Sequence, residues 1–123
     1  MMERKESPLQ LKSEAFAKRI IKLYAYLTKI KHEHVMSKQI YRSGTSIGAN
    51  IAESRNAQSP ADFINKLSIA LKESDETDYW LKSLYSGGFL TESEFESMHS
   101  DCVEITRMLT SSIKTIKKKI GKL

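Results

Sequence analysis

The sequence predicts an all-α protein, an antiparallel up-down-up-down four-helix bundle. Three observations carry that expectation. Apolar residues recur at alternating spacings of three and four in four separate stretches. Helix-start signatures precede those stretches, and the joints between them are short. No alternating β-branched run, internal repeat or low-complexity linker interrupts the pattern.

Residues 1–8 are polar and aperiodic and are expected to be loose, which leaves 9–123 as a single domain. The first helix starts either at Ser7-Pro8, with serine as cap and proline in the first turn, or later at Ser13. Phe16, Ile20, Leu23, Leu27 and Ile30 then form a bundle seam, with Lys18, Lys22 and Lys29 on the opposite side. The segment His32–Val35 reads as a reversing loop and Ser37 as the cap of the second helix, which frays at Asn56-Ala57-Gln58. Ser59-Pro60 opens the third helix, and Asp62 in its first turn complements the helix dipole. Its seam is Phe63, Leu67, Ala70, Ser74, Thr77, Leu81 and Leu84, and Gly87-Gly88 ends it. Thr91-x-x-Glu94 is a capping box for the fourth helix, whose seam runs Phe95, Met98, Cys102, Ile105, Leu109, Ile113, Ile116 and Ile120.

The second helix is unusual. Its stretch YRSGTSIGANIAES, residues 41–54, is rich in small and polar residues and leaves no broad charged face, so it is expected to touch protein on more than one side. Ile40, Gly44, Ile47 and Ile51 share one sector, and Arg42, Ser46, Asn50 and Glu53 share a second. Arg42 and Glu53, with Glu73 and Glu76 beside the seam of helix three, are expected to form a paired polar layer. The third sector, with Thr45, Gly48 and Ala52, is the expected oligomer contact. Gly44-Thr45-Ser46-Ile47-Gly48 also matches G-x-S-x-G, but the strand that precedes a nucleophile elbow is absent, so no catalytic residue and no enzyme activity are expected.

Composition narrows the function further. A single cysteine excludes an intramolecular disulfide framework. No apolar run reaches the roughly 18 residues of a membrane span, and the N-terminus has no signal-peptide core, so a soluble cytoplasmic protein without a membrane partner is expected. A di-iron bundle needs two Glu-x-x-His motifs, and Glu96-x-x-His99 is the single example, so neither metal nor cofactor is expected. Cys102 lies on the apolar seam and reads as a small buried residue.

The motifs RSGTSIGANIAES, DFINKLSIALKESDETDYWL and GGFL, in this order and spacing, carry a resemblance. With Lys12-Ser13, Phe16-Ala17, Arg19-Ile20 and Leu23-Tyr24 upstream, it covers roughly residues 12–95. The chain resembles the four-helix-bundle proteins related to those encoded in intervening sequences of bacterial large-subunit ribosomal RNA genes. The resemblance implies the bundle fold. One relative, the accessory variability determinant of diversity-generating retroelements, is a basic ring-shaped pentamer that binds nucleic acid and a reverse transcriptase, which implies a homo-oligomer of five subunits here.

Charge points to an anionic partner. The net charge is +5, and in the last 33 residues all six basic groups follow Thr106 while all five acidic ones precede it. In an antiparallel bundle Lys114, Lys117, Lys118 and Lys122 are expected to join Lys18, Arg19 and Lys22 in a patch that contacts RNA or DNA phosphates. The opposing reading is an ordinary solvated face whose lysines complement a helix C-terminus, on a subunit that binds a protein partner and no nucleic acid.

Overall fold

The computed structural model describes residues 7–121. Four helices follow in order, α1 Pro8–Lys29, α2 Met36–Ser54, α3 Pro60–Ser86 and α4 Glu92–Gly121, and no strand occurs among the described residues. Residues 1–6 of the expected loose segment lie outside the described residues, whereas Pro8 is already helical. Ser7, not Ser13, caps α1, accepting from the Gln10 amide. Ser59 caps α3 in the same way, accepting from the Asp62 amide. The box at the start of α4 closes reciprocally, Thr91 N–H to the Glu94 carboxylate at 2.8 Å and Glu94 N–H to the Thr91 hydroxyl at 3.1 Å. After α3, Gly88 takes the left-handed conformation, φ 81°.

Ser37 does not cap α2. The Glu33 carboxylate does, accepting from the amides of Val35, Met36 and Ser37, the last at 2.7 Å. The Ser37 hydroxyl instead donates back to the Glu33 carbonyl. Burial alone would raise the Glu33 carboxyl, but the three amides outweigh it and hold the carboxyl below its usual range.

Cross-helix pairs set the topology. Ile20 faces Gly44 and Ser13 faces Gly48; Ser43 bonds Thr77 and Glu53 pairs with Lys66; Asp78 meets His99 and Ser74 meets Thr106. Lys12 pairs with Glu104 and Arg19 with Asp101. In each set the numbers rise on one helix as they fall on the next, so all four neighbouring pairs are antiparallel. The core follows the expected seam, with Phe16, Ile20, Leu27, Ile40, Ile47, Leu81, Leu84, Ile105 and Leu109 fully buried, but its ends depart from it: Ile30, at the C-cap of α1, and Ile120, where α4 outruns α1, are exposed. Most buried polar groups are small hydroxyls, several of which donate locally: Thr77 to the Glu73 carbonyl, Ser13 to the Gln10 carbonyl and Ser54 to the Ile51 carbonyl. Among the described residues no buried side-chain polar atom lacks a partner.

Candidate nucleic-acid interface

The last three turns of α4 are held to the core by Leu109 and Ile113, which turns Lys114, Lys117 and Lys118 outward. Arg107, Lys114 and Lys118, spaced seven and four residues apart, line one shallow cleft of about 470 Å³ with Thr106, Thr110, Ser111 and Thr115. The hydroxyls of Thr110 and Thr115 donate inward to the carbonyls of Thr106 and Ser111, so the threonines offer acceptors, and the cations supply the outward donors. None of Arg107, Lys114, Lys117 and Lys118 forms an ion pair with a described residue. Lys122 lies outside the described residues.

The helix-one cations do not join this cluster as expected. Arg19 donates to Asp101 at 2.6 Å and to the Ser97 hydroxyl at 2.6 Å, while Lys12 bridges Asp101 and Glu104 at 3.3 and 2.8 Å. The antiparallel register thus sets α1 beside the acidic half of α4, and Lys114 lies thirteen residues, about 20 Å, further along from Asp101. Asp101 is half-buried, which opposes its charge, but Arg19 and Lys12 overcome that and lower its pKa. Lys18 and Lys22 are exposed on α1 as a separate row. Arg107 was not expected at the cleft; its spacing to Lys114 and Lys118 is the signal that places it there.

Arg42 meets two of the three carboxylates expected beside it. Arg42 reaches Glu73 at 3.2 Å and Glu76 at 2.5 Å, and Trp80 Nε1 donates to Glu76 at 3.4 Å. The Arg42 contact, ahead of the opposing effect of burial, lowers the Glu76 pKa. This is a surface cluster, however, because the Arg42 side chain is 51% exposed. Glu53 stands apart, paired with Lys66 at 3.1 Å, and its own side chain is 61% exposed.

Gly48 is not on an outer surface either. It is buried against Ser13 of α1 within the same chain, where a small residue lets the helices approach. Thr45 and Ala52 are partly exposed and Ala49 is exposed, which leaves an uncharged strip along the outside of α2. Tyr41 continues it, 41% exposed, with its ring 4.9 Å from that of Tyr24 on α1.

Among the described residues no group of three metal-ligating side chains converges, and no helix is long and apolar enough to cross a membrane. His99 contacts Asp78 and stacks on Phe95 rather than joining Glu96. Cys102 is fully buried, and burial pushes its thiol up to about 11, despite a contact with Ser74 that acts the other way.

No functionally curated protein matches the chain significantly. A solved structure is similar: a protein of unknown function from the S23 ribosomal protein family of Bacteroides thetaiotaomicron, 55% identical, superposes with a TM-score of 0.86 over 86% of this chain and 98% of that one. The family model of the 23S rRNA-intervening sequence proteins matches residues 5–111, which takes in α1, α2, α3 and most of α4. With its four antiparallel helices and the small-residue α2 packed close on α1, the chain belongs to the family of 23S rRNA-intervening sequence proteins.

Proposed function

We propose that this protein is a non-catalytic, cytoplasmic homo-oligomer that binds RNA or DNA through phosphate contacts, largely without regard to sequence. The observation that carries the reading is the cluster Arg107, Lys114, Lys117 and Lys118, exposed and unpaired among the described residues, whereas Lys12 and Arg19 are neutralised by carboxylates. Lysines on an outer helical face reach phosphate oxygens and do not read base edges. One subunit supplies only a few such contacts. A ring, with five subunits as the family resemblance implies, repeats them around an axis and adds their effects.

The test is fluorescence anisotropy with short RNA and DNA, single-stranded and duplex. The expected signature is a log–log salt slope of about −0.9 per neutralised phosphate on duplex and about −0.7 on single strands. A variant with Lys114, Lys117 and Lys118 changed to glutamine should bind more weakly and with a shallower slope. Absence of binding at about 50 mM salt, or an unchanged slope in the variant, rejects the reading. The uncharged strip of Tyr41, Thr45, Ala49 and Ala52 favours the second reading, a protein-interaction subunit, and that reading then leads.

A further inference from the structure

A second surface lies at the same end of the bundle and adjoins the lysine cleft, with which it shares Arg107, Ser111 and Thr115. Lys12 pairs with Glu104, so Pro8, where α1 begins, lies level with about Met108, and α4 continues past it to Gly121. That overhang is thirteen residues, about 20 Å of helix. Along it, the side of α4 that faces α1 lower in the bundle borders an open groove of about 1230 Å³, closed on its other walls by the start of α1 and the α2–α3 joint. Leu9, Ile51, Phe63, Leu67, Met108 and Ile116 make its apolar floor. The ionisable groups in its described lining are two arginines, Arg55 and Arg107, with no carboxylate.

We propose that this groove docks an amphipathic helix with acidic flanks, contributed by a partner protein. Three observations select that occupant. The groove is larger than the roughly 300–1,000 Å³ of ordinary small-molecule sites and open along its length, as helix-in-groove recognition requires. It continues the line of α1 beside α4, so a helix of three to four turns there completes the fourth corner of the bundle. Arg107, with Lys114 and Lys118 beyond the rim, complements glutamates on the flanks of such a helix. A second copy inserting its α4 end is a poor occupant, because its Lys114, Lys117 and Lys118 would meet Arg107.

The experiment uses the full chain and a fluorescent peptide of about 16 residues, with leucines at helical i, i+3, i+4, i+7 spacing and glutamates on both flanks. Saturable binding is expected. A peptide with lysine flanks, and one with its leucines replaced by serine, should each bind at least about tenfold more weakly. Arg107→Glu and Met108→Gln should weaken the parent peptide by a similar factor. If Met108→Gln fails to fold by circular dichroism, Ser112→Glu blocks the same wall without entering the lysine cleft. Met108→Gln should leave nucleic-acid binding unchanged, which separates this proposal from the phosphate surface. No saturable binding, or equal affinity for the lysine-flanked peptide, overturns it. So does binding that appears only after residues 1–6 are removed, which would make the chain's own N-terminal segment the occupant. A drop in particle mass for Met108→Gln would assign the groove to a second copy and equally reject it.

Discussion

Gly44 packs so closely on Ile20 that a Cβ at Gly44 would stand 2.7 Å from Ile20 Cγ1. Ile20 is fully buried and has nowhere to move. A Cβ at Gly48 would instead meet Ser13 at 3.5 Å, an ordinary contact. Gly44→Ala should therefore cost about 1–3 kcal/mol through overpacking, although alanine is the better helix former. Gly48→Ala should be neutral or stabilise by up to about 1 kcal/mol. Urea titrations of the two variants decide it, and equal midpoints would show that the α1–α2 contact is looser than described.

The Glu33 cap makes a second prediction. Glu33→Gln keeps the shape but weakens the charge-assisted bonds to three amides, and should cost about 1–2 kcal/mol at neutral pH. Because the folded carboxyl titrates below its usual value, its contribution is complete above the ordinary glutamate value of 4.5 and is lost as pH falls through the lower folded pKa. The gap in melting temperature between parent and variant should accordingly close in acid. A gap that persists in fully acid solution assigns the loss to packing instead.

Arg42→Ala should lower stability by no more than about 1 kcal/mol, since half of the side chain is in water and its ion pairs are screened. Glu53→Ala should be near neutral for the same reason. Thermal melts in low and high salt test both, and a loss of several kcal/mol for Arg42→Ala would mean that the cluster becomes buried in an assembly.

Oligomerisation is best probed where α2 is open. Ala49→Glu and Thr45→Glu place a charge on the uncharged strip without touching the core, and either should reduce the particle mass seen by light scattering. An unchanged mass in both variants, or a monomeric parent at micromolar concentration, removes this strip as the subunit contact.

The seams, the serine–proline starts and the Thr91–Glu94 box were legible because each is a local pattern whose physics lies within a few residues. Relations between helices were less so. A helical wheel separates Thr45 from Gly44 by angle but does not say that Gly48 faces Ser13 and not solvent. Antiparallel order likewise does not say that Arg19 meets Asp101 and not the lysine-rich end, because the register of α1 against α4 is set by packing and connections, not by either helix alone. Glu33 was hidden for another reason. Its carboxylate reaches forward to residues 35–37 from a loop in which His32 adopts φ 53°, a conformation that spacing does not reveal.

Cys102 gives the bundle a built-in clock. The thiol is sealed in the core, held there by a donation to the Ser74 carbonyl at 3.4 Å, and shifted so that little thiolate exists at neutral pH. A maleimide or disulfide reagent therefore reaches it only when α3 and α4 part. With a single cysteine in the chain, the labelling rate counts those openings directly. It does so without an engineered site, and the same trace would register any ligand that makes the openings rarer.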